Sequence, residues 1–314
     1  MRPLSRVLVS LLAVLLLLGA CGGDTNEQGD GTADSEVTDE QGDQPSESGD
    51  RDFNQGFADA EVYPVFVSSE LTVGSNRFII GLLDSNDAPV NNPDIEVNVD
   101  FFDLAESETE PVTSSSFAFV ESVPGQRGVY VGTVEFLAAG EWGAEVALSG
   151  GGVDENLLAS FEVREESSTP SLGEAVPPSD TLTADDAKNL AEISTDDNPD
   201  PKFYELSVAD ALKERKPFVV AFATPKFCVS ATCGPTLDIV KDASADFPQV
   251  NFLHVEPYDN LDDPDNLSPI KATREWGLPS EPWVFVVDAD GKLAAKYEGV
   301  LSADELRAAL SKLV

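Results

Sequence analysis

Seven short segments between residues 57 and 165, in which apolar and polar residues tend to alternate, restrict the fold more than any other feature. A period of two is typical of strands that bury one face and expose the other. Turn-forming residues at 84–87 and 139–140 separate some of these segments, and no helical pattern interrupts them. We therefore predict an antiparallel β-sandwich. Its strands are expected at 61–67, 77–83, 95–101, 116–120, 128–136, 142–148 and 158–163.

This seven-strand pattern resembles immunoglobulin-like domains. The resemblance implies an N-terminal all-β sandwich over residues 57–165. No cysteine falls within that range, so the disulfide that pins many immunoglobulin domains is missing. By analogy of fold alone, such a domain would bind a partner or space another module, and we predict no functional site in it.

Charge narrows the classes of partner. The chain has 58 Asp and Glu residues against 19 Lys and Arg residues, for a formal net charge of −39. Binding to nucleic acid is excluded because it needs basic groups that neutralise phosphates. Docking on anionic lipid by charge is disfavoured for the same reason. One His and three Cys leave little material for a metal cage, and we predict no cofactor and no bound metal.

The N-terminal segment has the pattern of an export signal. Arg2 and Arg6 precede an apolar run at 7–18, which is too short to span a bilayer comfortably. The run leads to Leu-Gly-Ala and then Cys21, which resembles the lipobox of bacterial lipoproteins. The resemblance implies a signal peptide at 1–20 and a lipidated Cys21 that anchors the protein to the cell membrane, outside the cytoplasm. An ordinary secretory signal with a chance cysteine is the alternative.

Composition divides the rest of the chain. Residues 21–56 are rich in Gly, Asp, Glu and Ser with few apolar residues, which predicts a disordered acidic tether. Residues 166–201 are predicted to be a linker with a short helix at 184–193. Residues 202–314 alternate apolar runs with helical patterns, which is typical of an α/β domain. Strands are expected at 203–206, 217–222, 250–255, 283–287 and 292–297, and helices at 208–214, 235–245 and 302–313.

Two cysteines follow the most apolar of these runs. Cys228 lies in the loop, and Cys233 comes directly before Gly234 and Pro235, which mark the start of a helix. A thiolate at a helix N-terminus is stabilised by free backbone N–H groups, which lowers its pKa and makes it a competent nucleophile. In an oxidising compartment this pair is expected to be able to form a disulfide. Four intervening residues do not guarantee the geometry.

The strand, cysteine loop and helix, together with Pro282 before a later strand, resemble the thioredoxin-like superfamily over residues 202–314. The resemblance implies an α/β thioredoxin-like fold, a cis Glu281–Pro282 bond with Pro279 as the nearby alternative, and thiol–disulfide exchange with exported proteins. Pro282 and the backbone of Glu281 would hold the substrate. The CxxxxC spacing departs from the CxxC of the family, so either cysteine can be aligned with its nucleophile. We assign attack to Cys233 and resolution to Cys228.

Two other functions stay open. The pair could be a structural disulfide in a non-catalytic binding module. It could instead bind copper, as in Sco-type proteins, which share this fold and use two cysteines and a histidine. Their CxxxC spacing and their later histidine match this chain poorly. His254, the only histidine, is predicted to be structural or at the surface, with the role of a third ligand or of an acid–base partner as the alternative.

Overall fold

The computed structural model of the chain describes residues 51–123 and 125–314. The predicted signal peptide, Cys21 and most of the predicted tether lie outside the described residues. Among the described residues, no helix is long and apolar enough to cross a membrane.

Seven strands form the larger sheet, and all seven were predicted from the sequence. Its strand order is β1-β2-β5-β4-β3-β6-β7, and every neighbouring pair is antiparallel. The strands are β1 (Val62–Phe66), β2 (Gly74–Asp84), β3 (Ile95–Asp103), β4 (Thr113–Val123), β5 (Arg127–Phe136), β6 (Gly140–Gly150) and β7 (Val153–Val163). The edge strands β1 and β7 approach each other, so the sheet is nearly closed.

The predicted immunoglobulin-like sandwich is therefore wrong. A sandwich needs two separate sheets packed face to face, whereas one sheet here curls around its own core. Alternation with a period of two shows which side chains of a strand are buried, but not which strands pair. The long strands, of up to 11 residues, give the sheet enough twist and length to close on itself.

Aromatic side chains fill the inside of this sheet. The rings of Phe78 and Phe101 lie 5.4 Å apart between centroids, and Phe136 packs edge-on against Phe101 at 5.7 Å. Trp142 is almost fully buried, and its Nε1 donates a hydrogen bond to the carbonyl of Ala138 at 3.0 Å. Each large ring removes apolar surface from water, and the buried indole N–H has the partner that burial requires.

A smaller sheet of four strands carries the cysteine loop. Its order is β13-β12-β8-β9, in which β8 and β9 are parallel and the other pairs antiparallel. The strands are β8 (Phe218–Phe222), β9 (Asn251–Val255), β12 (Trp283–Val287) and β13 (Leu293–Glu298), and a two-stranded ladder pairs β10 (Tyr258–Asp259) with β11 (Ser268–Pro269). Every residue of β8 and β12 is buried, as expected for central strands.

In the part of the chain that the structure describes, four helices accompany these strands. They are α1 (Val208–Glu214), α2 (Cys233–Asp246), α3 (Lys271–Glu275) and α4 (Ala303–Leu310). Ser302 and Glu305 form a capping box at the start of α4. The predicted helix at 184–193 is instead two short 3₁₀ turns, Ala184–Asp186 and Leu190–Glu192.

The predicted strand at 203–206 is also wrong, because a 3₁₀ turn at Pro201–Tyr204 replaces it. Pro201 favours a helical first turn, and the side chain of Asp200 accepts a hydrogen bond from the backbone of Lys202.

The assignment of residues 202–314 to an α/β thioredoxin-like fold is wrong as well. The described chain is rich in β structure, with 37% of residues in strands and 18% in helices, and its largest element is the nearly closed sheet. Three of the four helices have only seven, five and eight residues. At about 3.6 residues per turn, such helices make only one or two turns. The sequence pattern located helices and strands correctly in most places but did not give the architecture they build.

Side chains join the two sheets, and the described residues belong to one compact unit. Arg77 on β2 makes two bonds to the carboxylate of Glu305 on α4, at 2.7 and 3.1 Å. Val300, after β13, packs with Ile79 and Val129 of the larger sheet. A paired planar guanidinium and carboxylate fix orientation better than a single contact. The smaller sheet therefore presents its cysteine loop from a scaffold held on the larger one.

Gly277 provides a test of how closely the loop after α3 packs against the segment that follows β7. Its φ is +61°, and a Cβ added there would lie 2.0 Å from the carbonyl oxygen of Ser168. We expect Gly277→Ala to lower the free energy of unfolding by roughly 3 kcal/mol, because left-handed strain and overpacking add. Gly125→Ala is the control: its φ is +68° but nothing lies within 4 Å, so roughly 1 kcal/mol is expected. Urea unfolding measures both, and equal losses would show that the contact with Ser168 carries no cost.

Candidate functional site

The two cysteines are joined. Cys228 and Cys233 form a disulfide with Cα atoms 6.0 Å apart, and the backbone N–H of Cys233 points to the Cys228 sulfur at 3.3 Å. Cys233 is the first residue of α2 and is fully buried, whereas Cys228 is partly exposed on the loop before the helix. Of the two residues, only Cys228 has surface that an attacking thiolate can reach from outside.

The start of α2 favours negative charge on Cys233. Thr232 is the residue before the helix, and its hydroxyl contacts that of Ser230 at 2.7 Å instead of capping the first turn. The first N–H groups of a helix have no partner within the helix, so they stabilise an anion placed at that end. The free N–H groups offset part of the cost of burying a Cys233 thiolate, which favours Cys233 as the leaving sulfur when the disulfide is attacked.

Pro282 lies at the end of the smaller sheet that is next to the start of α2. Trp283 pairs with Phe222, so the residue before β12 and the residue after β8 lie at the same end of the smaller sheet. The Glu281–Pro282 bond is cis, as predicted from the sequence. The carbonyl of Pro282 accepts from the N–H of Gly299 at 2.8 Å, and the carbonyl of Gly299 accepts from the hydroxyl of Thr236 at 2.9 Å. Thr236 is one turn after Cys233, so two hydrogen bonds connect the proline loop to the cysteine helix.

Glu281 offers backbone groups at this edge. Its side chain is held by the hydroxyl of Tyr258, at 2.7 Å from the carboxylate. Among the described residues, no backbone hydrogen bond engages the N–H or the C=O of Glu281. Free main-chain groups next to a fixed proline can pair with an extended peptide. The predicted substrate-binding residues, Pro282 and Glu281, thus lie at the end of the smaller sheet where the cysteine loop begins.

A buried acid at the base of the loop was missed by the sequence analysis. Glu256 follows β9 and is 5% exposed. One carboxylate oxygen accepts from the backbone and the hydroxyl of Thr195, at 2.8 and 2.9 Å. The other oxygen, like the hydroxyl of Thr224, has no hydrogen-bond partner among the described residues. Burial raises the pKa of Glu256 to about 7, and the negative charge of Glu281 adds to the shift.

His254 is a structural residue in this geometry. One ring nitrogen is 2.9 Å from the carbonyl of Ala223, and the other is 2.6 Å from the hydroxyl of Tyr204. Burial lowers the pKa of His254 to about 4, so the ring is neutral at pH 7. Because both nitrogens are engaged, neither is free to be a third copper ligand. Among the described residues, no group of three or more metal-binding side chains is found.

A cleft of about 1160 Å³ lies elsewhere, between β2, β13 and α4. None of the residues of the cysteine loop lines it. The amine of Lys296 donates there to the hydroxyls of Ser167 and Thr169, both at 2.8 Å, and burial lowers its pKa. Glu298 accepts from the backbone of Ser69 at 3.0 Å. The polar groups of the cleft mainly satisfy one another, so it does not compete with the cysteine pair as a site.

Comparison with known proteins gives no family. No known family matches the sequence, and no curated protein matches it. A structure of a DUF4426 family protein from Pseudomonas aeruginosa PAO1 is 13% identical and covers 36% of this chain and 97% of that chain, with a TM-score of 0.25. MtrC from Shewanella baltica OS185 is 11% identical and covers 74% of this chain and 51% of its own, with a TM-score of 0.23. At such scores neither similarity bears on fold or function.

Proposed function

We propose that this protein exchanges disulfides with thiols of exported proteins through Cys228 and Cys233, while a lipid on Cys21 holds it at the cell membrane. The observation that carries the proposal is the unequal burial of the pair: a partly exposed Cys228 is bonded to a buried Cys233 at the start of α2. This asymmetry supports a division of roles between an accessible sulfur and a stabilised leaving sulfur.

The exchange has two steps. A partner thiolate attacks the Cys228 sulfur, the Cys228–Cys233 bond breaks, and Cys233 leaves as a thiolate. A second thiolate of the partner then attacks its own sulfur in the mixed disulfide and releases Cys228. The partner loses two electrons and forms its disulfide, and the protein gains those electrons as a dithiol. The reverse sequence reduces a partner disulfide, and the potentials of the two couples decide the direction.

Burial favours an order of roles opposite to the one expected from the sequence. Cys233 was assigned attack because it starts the helix, but it has no exposed surface. Cys228 meets the partner in this proposal. Cys233 is the leaving sulfur when a partner dithiol is oxidised, and it is the resolving thiol in the reverse sequence. The free backbone N–H and C=O of Glu281 would pair with the partner chain next to the mixed disulfide, with Pro282 beside them.

The redox equilibrium of the pair tests the proposal. The full chain with Cys21→Ser leaves two cysteines, and its dithiol fraction is measured by mass spectrometry after thiol alkylation across a series of glutathione buffers. We expect a potential between about −270 and −120 mV, the range of exchange proteins. A potential below about −300 mV is typical of a structural disulfide. That result would contradict the proposal and leave a binding module with a stapled loop.

A further inference from the structure

The loop between the two cysteines exposes an apolar side chain. Val229 is 95% exposed, more than any other large hydrophobic residue among those described. It directly follows Cys228, the accessible sulfur. Ala231, two residues later, has a φ of +60°, a left-handed conformation that costs free energy in any residue with a Cβ. The loop thus keeps Val229 in water and bends sharply before it returns to α2.

The loop also differs in charge from the rest of the protein. No Asp or Glu occurs between Glu214 and Asp238, although the chain has 58 acidic residues in 314. Within the loop the one charged side chain is Lys226, whose amine lies 5.2 Å from the centre of the Phe227 ring. The loop itself has no carboxylate, so a partner can bury its apolar tip without removing a loop carboxylate from water. A basic group on the partner would instead meet Lys226.

We propose that Val229 is a docking residue, which inserts between apolar side chains that flank the reacting cysteine of a partner polypeptide. This inference rests on the proposed exchange through Cys228 and names the class of segment it takes: apolar next to the cysteine and without basic residues there. The contact is adjacent to the bond that forms, so it raises the rate with such segments and leaves the chemistry of the disulfide unchanged.

Two synthetic peptides and glutathione test the docking. Each peptide has one cysteine, flanked by leucines in one peptide and by asparagines in the other. The oxidised full chain with Cys21→Ser is mixed with each thiol, and the mixed disulfide on Cys228 is followed by quenched-flow mass spectrometry. We expect Val229→Ser to lower the rate of mixed-disulfide formation with the leucine peptide about tenfold, the effect of losing one buried valine side chain. The rates with glutathione and with the asparagine peptide should stay within about twofold.

A second exposed residue gives the matched control. Leu137 is 69% exposed and lies outside the cysteine loop, so Leu137→Ser should react like the parent with all three thiols. The docking role is wrong if Val229→Ser reacts with the leucine peptide as fast as the parent does. It is also wrong if the substitution lowers the rate with glutathione by the same factor. In both cases the proposed exchange is unaffected. If the parent reacts with none of the three thiols, the proposed function fails and the docking role fails with it.

Discussion

Removing Cys233 should leave a thiol that reagents reach easily, and removing Cys228 should leave one that they do not. In the Cys21→Ser background, we expect the Cys228 thiol of Cys233→Ser to react with iodoacetamide on the order of a hundredfold faster than the Cys233 thiol of Cys228→Ser. The reason is exposure: Cys233 is fully buried at the start of α2, so its alkylation needs local opening of the loop. Alkylation rates at one pH, followed by mass spectrometry, measure the difference.

The same two variants separate the roles of the cysteines. Cys233→Ser should trap a glutathione mixed disulfide on Cys228, because no second thiol is present to resolve it. Cys228→Ser should form little of it. Urea unfolding of both variants is the control: both lose the disulfide, and only Cys233→Ser also places a hydroxyl at a buried position. If the two thiols react at similar rates, burial does not govern access, and the assignment of attack to Cys233 from its helix position regains its support.

Local patterns predicted the elements of this protein well. All seven strands of the larger sheet were located from their alternation, and Gly234-Pro235 marked the helix start to within two residues. These signals are local, because side-chain alternation and a proline in the first turn act within a few residues of the chain. The pairing order of the strands depends on contacts between distant segments. That is why the sequence suggested two packed sheets for residues 57–165, where the seven strands form one.

The residues of the candidate site could be singled out only in part, for the same reason. The residues Cys228, Cys233 and Pro282 were found because their types and spacing are unusual in sequence. The burial of Cys233 was not predicted, because burial depends on which distant segments pack over the first turn of α2. Glu256 was missed because a single acid has no pattern. The one available signal was its position directly after the apolar strand β9, where a following side chain lies at the sheet edge.

Glu256→Gln should make the protein more stable at pH 8 and leave its stability unchanged at pH 4. Burial raises the pKa of Glu256 from 4.5 to about 7 in the folded protein. The folded state therefore binds a proton more tightly than the unfolded chain, and stability falls as the pH rises from about 4.5 to 7. Above that window the full penalty applies, on the order of 3 kcal/mol for a shift of this size. Glutamine cannot ionise, so the variant does not pay this penalty for a buried charge.

The surroundings of the carboxyl suit the amide. The glutamine oxygen can keep both hydrogen bonds from Thr195, and its NH₂ group would face the side of the carboxyl that has no partner among the described residues. Urea unfolding at pH 4 and pH 8 gives the comparison. Glu165→Gln, at an exposed position, should change stability by less than about 0.5 kcal/mol at either pH. A Glu256→Gln variant that loses stability at pH 8 would mean that the ionised carboxylate is needed by the fold, and that its charge is compensated in a way that burial alone does not predict.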